Sequence, residues 1–119
     1  MTPNEYQQRA LRTSPDCPPH AVRPTSAPDV RLTNAALGLT GEAGEFAELI
    51  KKWLYHDKPL DKAAAVAELG DVLWYLSLAA DALGVTLEHV MVANIDKLQR
   101  RYPHGFDTSR ANDPERDAA

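Results

Sequence analysis

Four carboxylates have the types and spacing to do chemistry. Glu42 and Glu45 lie three residues apart, and so do Glu68 and Asp71. On a helix, residues at i and i+3 project from one side about one turn apart, so each pair forms a two-toothed clamp. Two ionised carboxylates about 4 Å apart repel by roughly 4 kcal/mol at an effective dielectric near 20. No histidine or arginine occupies the positions within these pairs to offset that repulsion. The economical counter-charge is a hard divalent cation. Mg²⁺ fits because it takes carboxylates while keeping waters and substrate phosphates, and Mn²⁺ can substitute. A single ExxE pair is ordinarily a solvated helix face. Two pairs, each at the edge of an apolar stripe on consecutive antiparallel helices, make the metal reading.

The elements that position these acids are legible from periodicity and punctuation. Thr2-Pro3-Asn4-Glu5 combines a Thr cap, Pro at the first helical position and Glu three residues after the cap, predicting a short helix from about Pro3 to Thr13. Prolines at 15, 18, 19, 24 and 28 then exclude regular structure over a Pro-rich loop, 14–29. From Asp29 to Leu54, Leu32, Ala35, Ala36, Leu39, Ala43, Phe46, Ile50 and Trp53 recur at helical spacing. Asp57 and Pro59 mark a turn, Asp61 caps a third helix that stops at Gly84, and Thr86 opens a fourth running to about Arg100. Leu87, Val90, Met91, Ile95 and Leu98 are expected inward on that last helix, which Pro103 ends.

Helical wheels set the acids against the apolar stripes. With Glu42 at zero, Trp53 falls at about 20°, Phe46 at about 40° and Ile50 at about 80°. Glu42 thus flanks the stripe, and Glu45 lies just outside it. With Glu68 at zero, Ala79 falls at about 20°, Val72 at about 40° and Tyr75 at about −20°. Glu68 is inside the apolar sector and Asp71 on its rim, where a charge is expensive unless partnered. Gly38, Gly41, Gly44 and Gly70 fall within these helices at up to about 1 kcal/mol each against Ala. Close approach of a helix or of a ligand is the usual compensation.

The 119-residue length and ordinary composition give one all-α helical bundle of about four helices. Residues 1–106 form a single domain, and the polar tail, 107–119, is expected to fray. A formal net charge of −4 does not favour a nucleic-acid surface. The first residues lack the apolar run of a signal peptide, and Glu68, Asp71 and Asp81 interrupt the most apolar stretch, so no membrane partner is expected. The lone Cys17 permits no internal disulfide and suits a cytoplasmic setting.

The run Gly38-Leu39-Thr40-Gly41-Glu42-Ala43-Gly44-Glu45, followed by Glu68-Leu69-Gly70-Asp71-Val72-Leu73-Trp74-Tyr75, resembles the MazG-like nucleotide pyrophosphohydrolases of the all-α NTP pyrophosphatase superfamily. Asn94-Ile95-Asp96-Lys97-Leu98-Gln99-Arg100-Arg101-Tyr102-Pro103 strengthens the likeness, which runs from about Asn34 through Phe106. It implies Mg²⁺-dependent hydrolysis of a nucleoside triphosphate between the α and β phosphates. Glu42, Glu45, Glu68 and Asp71 would be metal-binding and catalytic, one of them accepting a proton from water. Asn94, Lys97 and Arg101 share a helix side and are candidates for substrate binding, although a basic cluster at a helix C-terminus also answers the helix dipole.

Weaker candidates are Trp53, Trp74 and Tyr75 for stacking a base, and Tyr6, Gln7 and Thr13 for covering one. Each of these aromatics fits core packing as well. The third helix is apolar over much of its circumference, so the bundle is expected to be completed by oligomerisation, as a homodimer or homotetramer. Two rivals stand beside this reading. A di-iron bundle would need Glu-x-x-His motifs, which are absent here. A non-catalytic helical oligomerisation or regulatory module would leave the acids individually dispensable.

Overall fold

The computed structural model describes residues 1–14 and 27–118, so most of the Pro-rich loop and Cys17 lie outside the described residues. The fold is all-α, with no strand among the described residues. Among the described residues five helices follow in order: α1 Pro3–Leu11, α2 Pro28–Tyr55, α3 Lys62–Ala82, α4 Leu87–Arg101 and α5 Thr108–Ala111. Two compact units divide them, Met1–Leu87 and Glu88–Ala119.

Local chemistry sets the boundaries in the first unit. Thr2 and Glu5 form a reciprocal capping box, Glu5 N donating to Thr2 Oγ1 at 3.1 Å and Thr2 N to the Glu5 carboxylate at 3.0 Å. Pro28 occupies the first helical position of α2, where its missing N–H costs nothing. Asp61 accepts from Ala64 N at 3.0 Å and starts α3. Gly84 stops the chain beyond α3 with φ +75°, a left-handed conformation that costs glycine little.

α2 and α3 pack side by side, and α1 lies on α3. The short connection between α2 and α3 makes the two antiparallel. Gln7 anchors α1 from a buried position: its amide nitrogen donates to the Ser77 and Val85 carbonyls, both at 3.3 Å, and its oxygen accepts from Leu87 N at 2.9 Å. A buried amide with those partners avoids the penalty of unmade hydrogen bonds. Trp74 secures the other end of α1, its indole N–H donating to the Ala10 carbonyl at 2.9 Å and Thr13 Oγ1 at 2.8 Å. Arg31 on α2 pairs with Asp81 on α3.

Among the described residues, the buried apolar side chains are Ala35, Leu78, Ala80 and Leu87. Of the residues expected inward on α4, Leu87 is buried, whereas Val90, Met91, Ile95 and Leu98 are exposed. Periodicity identified an apolar stripe there but not a surface to cover it. α3 is long and apolar enough by composition to cross a membrane. The acids Glu68, Asp71 and Asp81 interrupt it, and it packs against α1 and α2 while leaving several apolar side chains exposed. Residues 107–118, expected to fray, instead carry the α5 turn, started by Asp107 accepting from Ser109 N at 2.8 Å.

Candidate metal centre

The antiparallel pairing of α2 and α3 puts the middle of one beside the first turns of the other. Carboxylate oxygens of Glu42, Glu68 and Asp71 consequently lie within 4.8 Å of one another, a spacing that one hard cation can bridge. Glu42 and Glu68 are half-buried and Asp71 is exposed. Glu45 is exposed one turn further along α2 and does not join the trio. The wheel had placed it outside the apolar stripe for the same reason.

The electrostatics show what the cluster lacks. The Glu42 carboxyl is held above the ordinary glutamate range, first by desolvation, then by a hydrogen bond with Glu68, and then by the charges of Asp71, Glu68 and Glu45. Crowded negative charge thus disfavours the ionised form of Glu42. A divalent cation would relieve that crowding, and hard carboxylate oxygens are the donors that magnesium or manganese prefers. The residues present fit such an ion.

Tyr6 borders this cluster from α1. Its hydroxyl donates to the Gly70 carbonyl at 3.4 Å, between Glu68 and Asp71 in the chain. Burial raises its phenol pKa, and the charge of Asp71 raises it further, so the hydroxyl stays a donor. Sequence reasoning had named Tyr6 only in connection with a base; its place beside an acid comes from the docking of α1, which no local pattern encodes. Gln7 and Thr13 are taken up by the anchoring bonds of α1.

Two of the aromatic candidates, Trp74 and Tyr75, are accounted for by packing. Trp74 and Tyr75 meet edge to face at a centroid distance of 5.0 Å. The Tyr75 ring lies against Gly38 so closely that a Cβ there would come within 2.1 Å of it. Gly38 therefore answers to close side-chain approach, whereas the positions of Gly41, Gly44 and Gly70 open onto free space. Trp53 is substantially exposed on α2.

The substrate-binding candidates belong to the second unit. Lys97 is half-buried and lines a cleft of about 740 Å³ together with Arg100, Arg101, Arg110 and Arg116. Arg101 there pairs with Asp117. Asn94 is exposed and lies outside that cleft.

The MazG nucleotide pyrophosphohydrolase domain matches residues 31–106, which include all four acids and the α4 cations. The Gene 37 protein of Mycobacterium phage L5 is 40% identical over 78 residues, 62% of this chain and 68% of the phage protein. Uncharacterized protein YvdC of Bacillus subtilis is 35% identical over 75 residues, 56% of this chain and 71% of that protein. Human dCTP pyrophosphatase 1 is 38% identical over 77 residues, 59% of this chain but only 45% of the human enzyme. No solved structure matches the chain at comparable significance. With more than half its length matched and the acids in place, the chain belongs to the MazG nucleotide pyrophosphohydrolase family.

Proposed function

We propose that the chain hydrolyses nucleoside triphosphates, ribo or deoxy, between the α and β phosphates, giving the monophosphate and pyrophosphate in a magnesium-dependent reaction. The observation that carries this reading is the convergence of the Glu42, Glu68 and Asp71 oxygens within 4.8 Å on two facing helices. When bound, Mg²⁺ supplies neutralising charge for the triphosphate and acidifies a ligated water. Glu42, Glu68 and Asp71, with Glu45 one turn further along α2, would hold the ion. One of these four carboxylates, not fully committed to the ion, would accept a proton from the attacking water. Lys97 and Arg101 contact phosphate oxygens, and Asn94 makes a polar contact to sugar or phosphate.

The active form is proposed to be a homodimer or homotetramer. Val66 and Leu69 on α3 are 67% and 51% exposed, and Leu73 and Leu76 continue the same exposed series. At about 25 cal/mol per Å² of apolar surface removed from water, a second chain covering this helix gains substantially. Residues 1–106 act as one catalytic domain in this reading, and the setting is cytoplasmic. Nucleotide-pool housekeeping is the corresponding role, and dCTP is one substrate to try, given the name of the mammalian relatives.

A pyrophosphate-release assay over a panel of ribo- and deoxynucleoside triphosphates, with and without Mg²⁺, tests the proposal. Release with at least one triphosphate, abolished by chelation, is expected. No release with any of them would favour a non-catalytic oligomerisation module.

A further inference from the structure

The end of α4 in the second unit pairs Arg101 with an acid, Asp117, that the proposed reaction does not use. Asp117 grips Arg101 fork to fork: Nε and Nη2 donate to the two carboxylate oxygens, the Nη2 to Oδ2 distance being 2.6 Å. Lys97 and Arg116 add positive charge, and together with Arg101 they hold the Asp117 carboxyl below the ordinary aspartate range. Arg100 and Arg110 line the same cleft, and Asp113 and Glu115 are its other acids.

The return of the chain to this place is built into the sequence. Asp107 starts the α5 turn. Arg110 then donates to the backbone carbonyls of Arg100 and Arg101, satisfying the free carbonyl end of α4. Arg116 donates to the Ala111 carbonyl, which brings Asp117 back toward Arg101. Asp107, Arg110, Arg116 and Asp117 lie beyond residue 106, outside the segment that the family matches.

A carboxylate bound to a guanidinium through two parallel bonds presents its oxygens as a phosphate does. We propose that Asp117 is an internal stand-in for a substrate phosphate, a carboxylate plug on Arg101 that a polyphosphate must displace. The inference rests on the reading that Arg101 and Lys97 contact phosphate. The side chains of Arg101 and Asp117 are 23% and 54% exposed, and pairs so exposed are weak. A polyphosphate, carrying several charges, therefore wins. The plug reduces apparent affinity by the fraction of molecules in which it is closed, a factor of about two to five.

The test uses the full chain with Mg²⁺ present, and inorganic pyrophosphate as the probe in calorimetry. Asp117→Ala and Asp117→Asn are each expected to bind pyrophosphate about two- to fivefold more tightly than the unaltered chain. The KM for a hydrolysed triphosphate should fall by the same factor, with kcat unchanged. Arg101→Ala should bind more weakly, and adding Asp117→Ala to it should change nothing further. Unchanged or weaker binding in both Asp117 variants overturns the plug, as does wild-type binding in Arg101→Ala. Tighter pyrophosphate binding without hydrolysis of any triphosphate would sink the hydrolase reading and leave the plug standing. Normal hydrolysis with unchanged affinity would do the reverse.

Discussion

The acid cluster on α2 and α3 and the charged end of α4 treat aspartate and glutamate in opposite ways. In the first, Glu42 is pushed above its ordinary range by desolvation and by neighbouring acids. In the second, Asp107 and Asp117 are pulled below theirs, Asp107 by its bonds to Ser109 and Asp117 by its bond to Arg101. One region concentrates charge that the described residues leave uncompensated, and the other supplies its own counter-ions. Side chains fold most cheaply when charges pair, so the unpaired cluster needs a reason to persist. Binding a cation is the reason that the proposed function supplies, and the paired region shows what ordinary structural electrostatics look like in the same chain.

The largest effect should come from the cluster. Glu68→Ala is expected to reduce kcat/KM by at least about a hundredfold while leaving the helical circular dichroism intact; near-normal turnover would dissolve the contrast between the two regions. Lys97→Ala should raise KM roughly tenfold through loss of a charged phosphate contact, with metal affinity unchanged. An unchanged KM would remove Lys97 from the site.

Two stability measurements sharpen the comparison. Gly38→Ala should destabilise by about 1–3 kcal/mol, because the new methyl meets the Tyr75 ring. Gly44→Ala meets nothing within 4 Å and should stabilise α2 by up to about 1 kcal/mol through helix propensity. Chemical denaturation of the two variants would read the difference in sign directly.

The smallest effect is the dependence on pH, and it should run in opposite directions in the two regions. Folding raises the Glu42 pKa, so this group supports the metal-free fold while protonated. That support is present below the ordinary glutamate range and is lost as pH rises through the raised value. Folding lowers the pKa of Asp107 and Asp117, so their support is present above the ordinary aspartate range. It is lost as pH falls through the lowered values. Hydrogen exchange without divalent ions should therefore show the α5 segment loosening towards acid pH and the middle of α2 loosening as pH rises. Mg²⁺ should abolish only the second trend.

Much of this was legible in the sequence because it depends on local chemistry. The Thr2–Glu5 box, the Asp61 cap and the stop at Gly84 each need only residues within one turn, and each occurs where the pattern places it. The i, i+3 acids and their relation to the apolar stripes were readable for the same reason. Contacts between distant segments were not. That Glu42, Glu68 and Asp71 converge while Glu45 stands apart depends on the register of α2 against α3. Tyr6 beside Asp71 depends on α1 docking, and Trp74 serves as an anchor for α1 where a base-stacking face was considered. The exposed stripe on α4 is of the same kind, since periodicity encodes an apolar face but not what covers it. The α5 turn was missed because a four-residue polar helix has no periodicity to detect.

Manganese titration of the metal-free protein, followed by electron paramagnetic resonance, tests the central claim most directly. The account predicts binding that saturates at a defined stoichiometry, is competed by Mg²⁺, and weakens at least about tenfold in Glu68→Ala and in Asp71→Asn. Equal manganese binding by the unaltered chain and both variants would contradict it.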